Sequence, residues 1–218
     1  MNKFCVKVDQ FYDRVNGAYF GLISIGISLL SVFLAVISYE SIGNVFSFQD
    51  TFLSTLGDTP GVTTLIYSGG VVLVNFFKLF FSYYLFILYF QRRGVSRKVT
   101  WVLFGFSLIA TFSYLVHLIP YSISATAHIG GTILYFLASV FSFFVISIVE
   151  LKTDKLPNYL AIFGIIVIIS YFTFLRFLLE LEAGIFINRT TAVTVEWIAY
   201  LSVLVWVIVH SVYVLKNP

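Results

Sequence analysis

Charged residues are scarce in this 218-residue chain: Asp, Glu, Lys and Arg make up 11% of it, whereas hydrophobic residues make up 60%. A soluble domain normally carries roughly 25% charged residues, so the composition excludes a soluble globular fold and predicts an integral membrane protein. The net charge of +3 is compatible with nucleic-acid binding, but the basic residues occur in short clusters beside apolar segments. Membrane topology explains such clusters, and we expect no nucleic-acid partner.

Cysteine and proline are also scarce. Cys5 is the only cysteine, which excludes an intrachain disulfide and leaves no spacing typical of a metal or redox motif. The four prolines lie outside the long apolar runs, at Pro60, Pro120, Pro157 and Pro218. Proline lacks a backbone N–H, and these positions tolerate that loss best. We therefore expect mostly unbroken membrane helices.

Long apolar runs are abundant instead. Spanning a hydrocarbon layer of roughly 30 Å takes about 20 apolar residues. Six segments qualify: about 17–38, 62–90, 100–119, 127–149, 159–180 and 193–214. The first could be a cleaved signal peptide, but its length and the lack of an A-x-A exit favour a membrane helix. The sequence thus predicts an all-α polytopic membrane protein, a single six-helix transmembrane domain over residues 1–218.

The basic residues are distributed unevenly between the two sides of this arrangement. Ten of the 13 Lys and Arg precede segment one, join segments two to three or four to five, or follow segment six. The opposite loops, 39–61, 120–126 and 181–192, contain only Arg189 against four acidic residues. The positive-inside rule therefore predicts cytoplasmic N and C termini and a multi-pass protein of the cell membrane.

Segment one carries a narrow face of small residues at alternating spacings of four and three. They are Gly17, Gly21, Ser24, Ser28, Ser31, Ala35 and Ser38. Such a face lets helix backbones approach closely in a bilayer, where packing joins helices. We expect it to form the central seam of the bundle. A homodimer through this helix, or a contact with another membrane protein, is the alternative.

Lys78 is a cation within segment two, about 24 Å along that helix at 1.5 Å per residue. Asn75 and Ser82 share its helix face. In a first interpretation, Lys78 extends to the cytoplasmic surface or hydrogen-bonds to hydroxyls and carbonyls. In a second, it is the coupling site of a transporter. A coupling site normally has a carboxylate at similar depth. The sequence places none there and shows no internal repeat, which favours the first interpretation.

Polar residues converge at the outer ends of the later segments. The candidate ligand-binding residues are His117, His128, Arg176, Glu180 and Glu196, with Ser54 and Asp58 in the loop above them. Ionisable groups at membrane depth usually mark a functional site. We therefore predict an outer-leaflet polar cavity that binds a lipid headgroup or another amphiphile, with membrane lipids as the partners. Arg176 and Glu180 can also form a local ion pair, or Arg176 can hold a lipid phosphate.

His128 shares a helix face with small and polar residues, which turns it toward the bundle interior. Glu196 opens segment six at the same depth, so we predict a His128–Glu196 pair that ties two helices together or shares a ligand. A metal site built from these two residues with His117 and Asp58 is a weaker alternative. The chain has no H-x-x-x-H or H-E-x-x-H spacing, and we expect neither a metal nor a cofactor.

Two further functional classes stay open. Ser54 near His128 and Asp58 would supply the atoms of an outer-leaflet lipid hydrolase or transferase. The sequence lacks a G-x-S-x-G elbow, so we do not favour an enzyme. An accessory subunit of a larger membrane complex is the other alternative.

The six-helix plan and several short motifs resemble a known family. The motifs are "LSTLG" at 53–57, Pro120 followed by His128, and "VEW" at 195–197. The chain resembles the prokaryotic six-helix membrane family called domain of unknown function 998 and, more distantly, the Frag/DRAM/Sfk-like membrane proteins. The resemblance implies a fold covering about residues 17–214 and a role in lipid organisation or membrane trafficking. It marks Ser54, Gly57, His128 and Glu196 as pattern positions. The prokaryotic family often has Glu-Arg where this sequence has Glu196-Trp197.

Overall fold

A computed structural model describes residues 3–119, 121, 123–185 and 188–218, all within helices or their connections. Pro120, one of the motif positions, lies outside the described residues. The long helices are α2 (Ala18–Ser41), α4 (Val62–Ser82), α5 (Arg97–His117), α6 (Ala125–Lys152), α7 (Tyr159–Glu182) and α8 (Arg189–Lys216). A π-helical segment, Tyr83–Phe90, continues α4. Six helices are therefore long and apolar enough to cross a membrane, which confirms the predicted fold.

Two shorter helices, α1 (Lys3–Arg14) and α3 (Leu53–Asp58), were not predicted. The Tyr12 hydroxyl of α1 donates to the Phe80 carbonyl oxygen at 3.0 Å, and Asp13 lies 3.3 Å from Arg92. Burial, with a smaller contribution from Tyr83, raises the pKa of Tyr12 above its ordinary value, so this phenol keeps the proton that it donates. These contacts fasten α1 to the end of the α4 and π-helical span.

The six long helices form a closed ring in chain order. Helix α2 packs on α4, and α4 with its π-helical segment packs on α5. Then α5 packs on α6, α6 on α7, and α7 on α8, which returns to α2. Short connections place consecutive helices side by side and antiparallel. The chain termini and α1 therefore lie at one end, called here the terminal end, and α3 at the other, the α3 end.

The small-residue face of α2 forms its seam with α4 and α8, as predicted. Gly21 faces Ser211 of α8 and Phe81 of α4. Further along the seam, Ser38 is 2.9 Å from the Thr63 hydroxyl. Because this face is occupied inside the bundle, only the opposite face of α2 is left for a homodimer.

Helices α5 and α6 approach each other unusually closely at Gly131. A Cβ atom there would lie 2.6 Å from the backbone nitrogen of His117 and 2.9 Å from the carbonyl oxygen of Ser113. Real side chains do not approach backbone atoms that closely, so only glycine fits. The close approach brings His117 of α5 beside His128 of α6, with ring centroids 4.2 Å apart.

Candidate functional site

The α3 end contains a cavity of about 440 Å³, called here the α3-end cavity. Five of the seven predicted ligand-binding residues line it: Ser54, Asp58, His117, His128 and Glu196. Its lining also contains the apolar residues Ile129, Phe174, Leu178 and Leu181. The structure thus brings these five predicted residues to one cavity, and whether they bind a ligand stays a prediction.

Arg176 and Glu180 do not line the α3-end cavity. The Arg176 Nε atom lies 2.8 Å from Glu180 Oε1, one helical turn away on α7. The arginine is exposed, which places the pair on the outside of the bundle. Of the two roles considered from the sequence, the structure contains the local ion pair.

Glu196 holds the start of α3. Its carboxylate accepts hydrogen bonds from the backbone N–H groups of Leu53, at 2.6 Å, and Ser54, at 3.4 Å. The first amides of a helix have no partner within the helix, and a carboxylate suits them in both hydrogen bonding and charge. No hydrogen bond joins Glu196 to His128 among the described residues, so the direct tie between the two side chains is not formed, although both line the α3-end cavity. Residues 53–58 lie in a predicted loop, and hydropathy gives no sign that their backbone amides would bind the Glu196 carboxylate.

The hydrogen-bond partners of His117 and His128 determine which ring nitrogen of each carries a proton. His128 Nδ1 is 3.1 Å from the carbonyl oxygen of Ile119, which can only accept, so this nitrogen donates. The Thr132 hydroxyl donates to the carbonyl oxygen of His128 at 2.7 Å and is 2.7 Å from His117 Nδ1. His117 Nδ1 therefore donates to Thr132. In the neutral rings, both Nε2 atoms are left as acceptors.

The loop before α3 is fastened over the end of the bundle by aromatic contacts. The indole N–H of Trp197 donates to the Thr51 carbonyl oxygen at 3.0 Å. Phe46 and Phe48 meet the same indole edge to face, with ring centroids 5.8 and 4.9 Å away. Glu196 and Trp197 thus act together, because adjacent residues of α8 hold successive parts of one loop.

Asp58 fastens the other end of α3. Its Oδ1 atom accepts from the backbone N–H of Tyr121 at 3.2 Å, which joins α3 to the connection between α5 and α6. Both carboxylates of the cavity, Asp58 and Glu196, thus have backbone amides as partners.

Arg189 is a cavity residue that the sequence analysis did not select. It begins α8 and lines the α3-end cavity, with its guanidinium carbon 5.4 Å from the centroid of the Phe52 ring. Across the described ranges, no carboxylate pairs with it. A sequence pattern that singles out Arg189 does exist, because it is the only basic residue in the three loops opposite the termini.

The alternatives of a hydrolase and a metal site gain no geometric support. Ser54, Asp58 and His128 line one cavity, but no hydrogen bond joins any two of their side chains where the chain is described. Likewise, no three His, Cys, Asp or Glu residues among the described positions are grouped to hold a metal ion.

A second polar cluster, which the sequence analysis missed, lies toward the terminal end. His210 Nε2 of α8 is 2.6 Å from Glu150 Oε1 of α6, and these side chains are 1% and 0% exposed. His210 Nδ1 donates to the Trp206 carbonyl oxygen at 2.8 Å, and the Trp206 ring stacks on the imidazole. One further proton is shared between Nε2 and Oε1. The sequence placed Glu150 near the inner surface, where no buried partner was expected.

No family model, curated protein or solved structure matches this chain. The resemblance to the six-helix family of unknown function therefore stays a prediction. Two of the motifs that suggested it do meet in the structure, since the amides of Leu53 and Ser54 in "LSTLG" bind Glu196 of "VEW".

Proposed function

We propose that this integral multi-pass membrane protein binds the headgroup of a phospholipid or similar amphiphile in the α3-end cavity and thereby affects membrane lipid organisation. One observation carries the proposal: a single cavity of about 440 Å³ is lined by both polar and apolar residues. Ligand sites are concave, mostly apolar and provided with a few convergent polar groups. An amphiphile matches both kinds of residue in this lining.

Arg189 is the cationic group of the cavity lining that can bind a phosphate-bearing headgroup. Arg189 has no carboxylate partner among the residues described, and the planar guanidinium fork suits phosphate oxygens. Asp58 and Glu196 are already bound by backbone amides and compete less for the guanidinium. Arg189 is therefore the group expected to hold the phosphate.

The two histidines favour a headgroup that carries a hydrogen-bond donor in addition to its phosphate. His117 and His128 donate through Nδ1 to Thr132 and Ile119, which leaves two Nε2 acceptors near each other. A headgroup with a hydroxyl or an ammonium group can donate to them. Phe174, Leu178 and Leu181 would then contact the glycerol and the first acyl carbons. The positive-inside rule puts this site in the outer leaflet of the cell membrane.

The test is lipid retention by the purified protein, measured by native mass spectrometry after stepwise delipidation in detergent. We expect the wild type to keep one phospholipid longer than the others and Arg189→Gln to lose it. Arg176→Gln is the matched control, because Arg176 lies near the same end but outside the cavity. Equal retention by wild type and Arg189→Gln, or equal loss in both variants, would contradict the proposal.

A further inference from the structure

Lys78 lies inside the bundle. Its side chain is half-buried and lines two interior cavities of about 60 Å³ each, one toward α2 and α8 and one toward α5 and α6. A lysine in a membrane helix can extend its ammonium group to the membrane surface, or it can face a cavity inside the bundle. Lys78 lines two cavities and so belongs to the second class, and whether its ammonium group also reaches the cytoplasmic surface stays a prediction.

The ammonium group of Lys78 has no protein partner in the described part of the chain. No carboxylate oxygen lies within 4.0 Å of Nζ, and the side chain makes no hydrogen bond. Neighbouring Asn75 donates its amide to the Val71 carbonyl oxygen instead. Glu150, the buried carboxylate of α6, is bound to His210. An unpaired cation in a low-dielectric interior is unfavourable unless something else neutralises it.

Hydroxyl groups surround the same cavity. The cavity on the α5 and α6 side is lined by Ser82, Ser107, Thr111, Ser139 and Ser142. None of these five hydroxyls hydrogen-bonds to another described group, although Ser139 and Ser142 are each only 6% exposed. Buried hydroxyls almost always have a partner. All five residues line this cavity, so a group bound in it could serve as their common partner.

We infer that the cavity formed by Lys78 and these five hydroxyls binds a small monovalent anion, such as a halide, nitrate or bicarbonate. The ammonium supplies the opposite charge, and each hydroxyl can turn its hydrogen toward the anion. Among the residues that the structure describes, no acidic side chain lines either cavity beside Lys78, which disfavours a cation. One water occupies about 30 Å³ of liquid, so a cavity of this size admits a small ion and excludes an acyl chain.

Further cavities lie between this site and the α3 end. Tyr135 lines both cavities beside Lys78 and a third of about 60 Å³ above them. That third cavity shares His117, Thr132 and Glu196 with the α3-end cavity. The inference does not depend on the proposed lipid site.

Thermal unfolding of the purified protein tests the inference. The unfolding temperature is measured in sodium chloride, bromide or nitrate against sodium gluconate at constant ionic strength, because gluconate is too large for the cavity. We expect a saturable rise of a few degrees in the wild type, since a ligand that binds only the folded state stabilises it. Lys78→Met should abolish the rise. Lys98→Met, at an exposed lysine that begins α5, should retain it.

Two further variants test the inference if Lys78→Met does not fold. Lys78→Arg keeps the cation and should retain saturation by small anions, whereas Ser139→Ala/Ser142→Ala should weaken apparent binding several-fold. Ser41→Ala, at an exposed hydroxyl of α2, is the control. Identical unfolding temperatures of the wild type in chloride and gluconate, or unchanged saturation in both Lys78→Met and the double serine variant, would overturn the inference.

Discussion

The carboxylate of Glu196 illustrates how one buried side chain organises the α3 end. It accepts from two consecutive amides at the start of α3, across 143 positions of sequence to Leu53. The cavity wall that contains Ser54 depends on this anchor, because α3 has only six residues and too few internal hydrogen bonds to persist alone. Glu196 is thus a structural support of the proposed ligand site as well as one of its walls.

Glu196→Gln should lower the free energy of unfolding by about 1–3 kcal/mol, because the neutral amide accepts one amide hydrogen well and leaves the other weakly bound. Hydrogen exchange at the amides of Leu53 and Ser54 should become faster than in the wild type. Glu180→Gln is the matched control, and no measurable change is expected because its partner Arg176 is exposed. Unchanged exchange in Glu196→Gln would contradict the assigned anchor.

The Glu150–His210 pair should show strong coupling between its two members. Glu150→Leu or His210→Leu alone should cost about 3–5 kcal/mol, because each leaves a buried ionisable group without its partner. The double variant should cost clearly less than the sum of the two, since no buried charge is left unpaired. A double-mutant cycle on the free energy of unfolding measures this. Strictly additive losses would show that the two side chains do not interact in the membrane-embedded protein.

Among the elements, α5 and α6 approach each other closely at Gly131. Gly131 permits this approach, and Gly130, its neighbour in sequence, faces open space. The contrast follows from the helix itself, because successive residues point about 100° apart around its axis. Two adjacent glycines therefore have opposite roles, and only one of them positions His117 against His128.

Gly131→Ala should destabilise the protein by about 1–3 kcal/mol, because the backbone atoms that the new methyl group meets cannot rotate away. It should also reduce lipid retention by shifting His117 away from His128. Gly130→Ala should be neutral or slightly stabilising, since alanine favours a helix by up to about 1 kcal/mol relative to glycine. Thermal unfolding in detergent compares the two. Equal effects would contradict the close approach.

At the level of the whole molecule, a ring of six helices separates two ends that differ in charge and in contents. The α3 end contains the proposed lipid cavity, and the terminal end contains α1, the basic clusters and the contact of Arg93 with the Asn217 carbonyl. From the positive-inside rule we expect the termini of this ring to lie in the cytoplasm.

Cysteine labelling in intact cells tests that orientation. In a Cys5→Ser background, Gln49→Cys places an exposed thiol in the loop before α3, and Lys152→Cys places one at the terminal end of α6. A membrane-impermeant maleimide should label Gln49→Cys in intact cells and Lys152→Cys only after permeabilisation. The reverse pattern would place the α3-end cavity in the inner leaflet.

The ends of the helices show where hydropathy stops predicting the structure. Helix α8 begins at Arg189, four residues before the apolar run, because the Asn188 side chain accepts from the Thr190 amide and caps a polar first turn. Helix α3 was missed because six residues carry too little periodicity to be recognised. Both differences concern polar turns, where hydropathy contains little information.

Hydropathy alone determined the number of long helices and most of their lengths. Each span must satisfy its own backbone hydrogen bonds and cover the hydrocarbon layer, so its signal lies within about 20 consecutive residues. Only the tertiary structure decided the partner of Glu196, the pairing of Glu150 with His210 and the inward position of Lys78. Those outcomes depend on the rotation and depth of each helix against its neighbours. Close packing at residues such as Gly21 and Gly131 sets both, and no local pattern specifies which distant residue lies opposite.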